Sequence, residues 1–115
     1  HMALCMIGEG KKSLPAHIHE NYRSDVMDFQ DLAEKYVQRN LGYVKGTILH
    51  SWHGKFKDRK YVERWSILTK HNYDPYTDIK KDWQGLNIFT GNKPSLSHEI
   101  RLYFRQRNED SIDKE

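Results

Sequence analysis

One run constrains the fold of this chain more than any other: Gly42-Tyr43-Val44-Lys45-Gly46-Thr47-Ile48-Leu49-His50-Ser51-Trp52-His53-Gly54, followed at once by Lys55, Lys57, Arg59 and Lys60. Its first part, 43–50, is rich in aromatic and β-branched residues and is broken by Gly46. That pattern predicts a central strand with a bend or a close backbone approach. Most of the remaining sequence reads as helix. A sheet buries its faces only when enough strands are present to pair. Two or three short strands among four helices do not meet that condition, so the chain reads as part of a larger α/β domain.

Residues 3–7 form an apolar stretch that predicts a helix end, stopping at Gly8 or Gly10, before Lys11 and Lys12 lead into a loop or short strand. In 18–40, Tyr22, Val26, Phe29, Leu32, Ala33, Tyr36 and Val37 recur at three and four residues, which predicts the longest helix, with Gly42 as its left-handed cap. Asp58 is placed to cap a helix over 59–71 that ends at Asn72-Tyr73-Asp74-Pro75. Thr77 or Asp78 would cap a short helix through Asp82, ended near Gly85. Residues 86–89 read as a short strand and 90–93 as a turn. A last amphipathic helix over 95–108 carries Leu96, Ile100, Tyr103, Phe104 and Arg107 on one stripe, read as core with a snorkelling arginine. Residues 1–110 are expected to form one unit and 111–115 a charged tail.

The 115 residues, 37% hydrophobic and 12% aromatic, are enough for one domain with a modest core. Lys and Arg total 19 against 16 Asp and Glu, a net charge of +3. That is a weaker basic bias than most nucleic-acid modules carry. Seven histidines would raise any anion affinity on acidification. Cys5 is the single cysteine, which excludes an internal disulfide and a multi-cysteine zinc site and fits a reducing, cytoplasmic setting. It reads as a small buried hydrophobe rather than a nucleophile. No apolar run approaches the length of a membrane span. The opening His1-Met2 is either native or a remnant of cloning.

At the end of the predicted strand, His50 and His53 stand three residues apart, so that both rings can reach one small volume, and neutral imidazole is a common ligand for divalent metals. Lys55, Lys57, Arg59 and Lys60 could then neutralise phosphate oxygens polarised by the same metal. Arg64 either joins them or serves as a salt-bridge partner. Trp52 could stack on a sugar or a base, or pack at a strand end. The competing view of the whole motif is a half-buried histidine followed by a solvated helix start. Trp65 and Trp83 read as structural, and His17, His19, His71 and His98 show no ligand pattern.

The order of signals, M-A-L-C-M-I-G, then G-Y-V-K-G-T-I-L-H-S-W-H-G, K-D-R-K-Y-V-E-R-W-S-I-L, Y-D-P-Y-T-D-I, W-Q-G-L and I-R-L-Y-F-R-Q-R-N-E-D, resembles the C-terminal half of bacterial and phage glycosyltransferases of the GT-A, nucleotide-diphospho-sugar transferase type. The resemblance spans nearly all of residues 2–110, and its most specific part is H-S-W-H-G followed by R-K-Y-V-E-R-W. It implies an α/β fold, a partial GT-A domain without its nucleotide-binding N-terminal half, and a parent enzyme that transfers a sugar from a nucleotide-diphosphate donor to a glycan-type acceptor. It further implies Mn2+ or Mg2+, with His53 as the best match to the late metal-binding histidine and His50 second. Lys55, Lys57, Arg59, Lys60 and Arg64 would contact the diphosphate, and Trp52 the sugar or acceptor. Positive charge placed where phosphate charge develops lowers the barrier to glycosyl transfer.

The chain departs from that family in lacking an Asp-x-Asp metal motif, and the general base is expected upstream of residue 1. On this reading the isolated chain is inactive. Two other classes remain open. A small nucleic-acid-binding module would use the basic loop 55–64 with Tyr43, Trp52 or Tyr61 for stacking, although the near-balanced charge weighs against it. A metal-dependent nuclease would need carboxylates beside the histidines, and Asp58 is the nearest.

Overall fold

A computed structural model describes residues 1–50 and 55–109. The described residues form four helices and a small two-stranded sheet: α1 (Met2–Met6), α2 (Glu20–Tyr36), α3 (Arg64–Lys70), β1 (Ile79–Lys81), β2 (Asn87–Phe89) and α4 (Pro94–Gln106), with 3-10 turns at Gly10–Ser13 and Phe56–Arg59. The architecture is therefore mixed helix and strand.

Helix α1 is one turn long and too short to stand alone, so packing must hold it. Its stop is local chemistry. Gly8 takes a left-handed φ of +80°, and the amides of Gly8 and Glu9 return to the carbonyls of Cys5 and Leu4 at 3.0 and 2.8 Å. This is the paired closure that satisfies orphan carbonyls at a helix end. Packing then depends on Gly10, whose amide donates to Gln30 Oε1 of α2 at 2.7 Å and where a Cβ would stand 2.7 Å from Cys5 Sγ. Cys5 is fully buried, as the sequence predicts, and its Sγ donates to the Val26 carbonyl of α2 at 3.5 Å; Ile18, Val26 and Ala33 are buried as well.

Helix α2 is the longest at 17 residues, capped at its start by His19 Nδ1, which accepts from the Asn21 amide at 3.1 Å. It stops short of the expected Gly42. Gln38 and Arg39 take positive φ values, and Arg39 closes onto Glu34 at 2.6 Å, so the chain leaves the helix earlier. Residues 41–50 form neither helix nor strand and are exposed throughout. The expected strand over 43–50 is thus not formed. A strand exists only against a hydrogen-bonding neighbour, and β1 and β2 pair with each other.

The expected helix over 59–71 is divided. Lys60 sits in the left-handed region, so a 3-10 turn precedes it, and α3 begins only at Arg64. Asp58 belongs to that turn and does not cap α3. The helix expected over 77–82 is a strand instead: β1 pairs antiparallel with β2 in the register Ile79↔Phe89, Lys80↔Ile88, Lys81↔Asn87. Asp82 decides this, because its carboxylate accepts from the amides of Gln84 and Leu86 at 2.8 and 2.9 Å and turns the chain back.

Two buried carboxylates tie the elements together. Asp74 Oδ1 accepts from Asn21 Nδ2 of α2 and from the Tyr76 amide, both at 2.9 Å, and Asp78 Oδ2 accepts from the Asp74 amide at 2.8 Å and from Lys93 Nζ at 2.7 Å. Trp65 meets the Tyr22 ring edge-on at 6.3 Å, joining α3 to α2. In α4, Pro94 starts the helix and Leu96 is fully buried. The predicted core stripe is only half realised: Phe104 stays exposed, and Arg107 lies over the Tyr103 and Phe104 rings at 5.7 and 5.5 Å.

Candidate anion-binding groove

Helices α3 and α4 pack side by side and leave between them an open groove of about 820 Å³. Apolar side chains such as Ile67 and Leu102 line it together with the cations Lys60, Arg64 and Lys70. Glu63 and Glu99 also line it, together with His71 and His98.

Local structure sets where each cation stands. Tyr103 Oη donates to the carbonyl of Arg59 at 2.9 Å and so pins the 3-10 turn onto α4. The left-handed Lys60 follows, and its Nζ crosses the groove to donate to Gln106 Oε1 at 2.7 Å. The Arg64 guanidinium carbon lies 4.8 Å from the Tyr61 ring centroid, a cation–π arrangement that helps hold the side chain at the groove. At the other end Lys70 Nζ and His71 Nε2 converge on Glu99 Oε2 at 3.0 and 2.6 Å. The hydrogen bond from His71, then that from Lys70, holds the Glu99 carboxyl below its ordinary value of 4.5.

Of the five cations expected to contact a diphosphate, the structure brings Lys60 and Arg64 to this groove. Lys55, Lys57 and Arg59 lie on or beside the preceding 3-10 turn, where Arg59 Nη1 donates to Tyr61 Oη at 2.8 Å. His50 is exposed at the end of the irregular segment. Trp52 and His53 lie outside the described residues, as does the tail 111–115. Among the described residues no group of three or more His, Cys, Asp or Glu side chains is placed to hold a metal ion, and His50 is the one described member of the expected pair.

Lys70, His71, His98 and Glu99 were not expected here. The signal lay in the sequence as a second stripe on the last helix, Ser95, His98, Glu99, Leu102 and Gln106, at three- and four-residue spacing beside the apolar one. The arrangement can bind an anion, because Glu99 is already engaged by Lys70 Nζ and His71 Nε2 while Lys60 and Arg64 also line the groove. Among the described residues no helix is long and apolar enough to cross a membrane. No family model, curated protein or solved structure matches the chain.

Proposed function

We propose that the chain is the C-terminal portion of a GT-A type glycosyltransferase that acts in the cytoplasm and moves a sugar from a nucleotide-diphosphate donor to a glycan-type acceptor. The observation that carries the reading is the convergence of Lys60 and Arg64, both from the most specific motif, on one open groove with Lys70. In this role the groove and the adjoining basic turn take the diphosphate leaving group. His53, or His50 as the second candidate, supplies the late imidazole to Mn2+ or Mg2+, which would polarise the phosphate oxygens. The apolar run before the motif supports the same reading: Val44, Ile48 and Leu49 are more than nine-tenths exposed, as suits a strand whose neighbours belong to another part of the enzyme.

An NMR titration of the chain with a nucleoside diphosphate and Mn2+ tests this. The expected result is a shift of the Lys60, Arg64 and Lys70 signals on adding diphosphate, and selective broadening of one imidazole, His53 or His50, by Mn2+. Lys60→Gln with Arg64→Gln should weaken diphosphate binding by about two orders of magnitude, at about 1.4 kcal/mol for each charge-assisted contact. A diphosphate that leaves the groove signals unmoved, with an oligonucleotide that binds 55–64 and is released steeply by salt, would replace the proposal with the nucleic-acid module.

A further inference from the structure

The hairpin of β1 and β2 holds Trp83 out into solvent at 90% exposure, with Leu86 beside it at 60%. A tryptophan so placed is unusual, since this side chain is among the most buried on average. The loop 82–86 that carries it is internally complete. Asp82 N donates to Leu86 O at 2.9 Å and Gly85 N to Asp82 O at 3.0 Å, while Gly85 takes a φ of +81° and the Asp82 carboxylate is engaged by two loop amides.

The base of the hairpin is equally tied. Thr90 N donates to Asp78 O at 2.9 Å, Asn92 Nδ2 to Thr77 O at 2.8 Å, and Lys93 bridges Asp78 to the carbonyl of Asn72. The indole is therefore presented by a built, hydrogen-bonded turn. Lys80 and Lys81 are both exposed, and consecutive strand residues face opposite sides of the ribbon, so one ammonium flanks each face.

We propose that this tip is a docking point for an anionic lipid surface: Trp83 and Leu86 enter the headgroup boundary, and Lys80 and Lys81 meet lipid phosphates. An amphipathic indole beside an aliphatic side chain, with cations on both flanks, is the chemistry that partitions to such an interface. The lysines supply the charge complementarity, each worth about fivefold in partitioning to an anionic membrane. A single nucleic-acid strand is the less suited occupant, because it would stack on the Trp83 indole alone and leave Leu86 and the half-exposed Ile88 in water. The inference stands apart from the glycosyltransferase reading, since no hairpin residue lines the α3–α4 groove.

Flotation of the 115-residue chain with phosphatidylcholine vesicles, with and without phosphatidylglycerol, tests it. The expected result is binding only with phosphatidylglycerol, weakened by salt. Lys80→Gln should lower it about fivefold and the Lys80→Gln, Lys81→Gln pair about twenty-five-fold. Trp83→Ala with Leu86→Ser should reduce it by about tenfold or more, with an unchanged far-ultraviolet circular dichroism spectrum showing that the fold persists. Val44→Ser with Ile48→Ser, which removes exposed apolar surface elsewhere, should leave it unchanged. The proposal fails if binding ignores phosphatidylglycerol, if the Trp83→Ala, Leu86→Ser chain binds like the parent, or if the loss follows Val44 and Ile48 instead. It also fails if a single-stranded oligonucleotide binds through Trp83 more tightly than the vesicles do.

Discussion

Gly10 does what no other residue could at its position. Its missing side chain admits Cys5 Sγ and Gln30 Oε1, which a Cβ would approach to 2.7 and 2.8 Å, and its amide holds Gln30 in place. Gln30 can swing away but the fully buried Cys5 cannot, so Gly10→Ala should displace α1 from α2 and cost about 1–3 kcal/mol, as overpacking of a close contact does. Urea denaturation of the two chains measures it. Glu99 bears on pH. His71 and then Lys70 hold its carboxyl below the ordinary 4.5, and Asn21, with the Tyr76 amide, does the same for Asp74 below 3.8. Carboxyls lowered on folding contribute stability that is complete above the unfolded value and disappears as pH falls through the folded one. Melting temperature should therefore hold between about pH 6 and 5 and fall below about pH 4. Glu99→Gln should flatten that fall, whereas a variant profile as steep as the parent's would remove Glu99 from the account.

At the scale of elements, what sequence showed and what it hid divide along one physical line. Helices α2 and α4 were legible because apolar residues at three- and four-residue spacing report a buried face, and Pro94 and Gly8 mark ends by local chemistry. Strand β2 was legible from its β-branched and aromatic residues. The 43–50 run carried the same composition, yet a strand also needs a neighbour, and composition cannot say whether one is supplied. Strand β1 was missed for the converse reason: Ile79-Lys80-Lys81 is too short to show a period, and Asp78, read as a helix cap, is the acceptor for Lys93. The groove was half legible. Lys60 and Arg64 stood in a recognisable motif, whereas Glu99 and His71 meet only through the packing of α3 on α4. The hairpin itself is set by Asp82, which takes two amides of its own loop. Asp82→Ala should loosen the turn by about 1 kcal/mol, seen as faster amide exchange at Lys80 and Ile88, and Asp82→Asn, which keeps the acceptor, should restore protection.

Over the whole molecule, among the described residues, helix packs on helix in two places: α1 against α2 around Cys5, and α3 against α4, where Ile67 and Leu96 are buried. Between them runs an apolar, exposed segment whose side chains contribute little to holding either part together. Tyr43, Val44, Ile48 and Leu49 are each at least 85% exposed. Truncating a side chain that is already in water removes almost no buried area, so Val44→Ser with Ile48→Ser should change the unfolding free energy by less than about 0.5 kcal/mol. The same substitutions remove surface that other chains can cover, and an exposed apolar run of high β-propensity is a template for association. Sedimentation velocity should therefore show less self-association for the double variant at equal concentration, while its urea midpoint stays with the parent's. A loss of more than about 1 kcal/mol would mean that the run is packed in the folded chain, and the idea of a strand awaiting neighbours would go with it. Equal stability with reduced association would instead mark 43–50 as a surface through which copies of this chain associate.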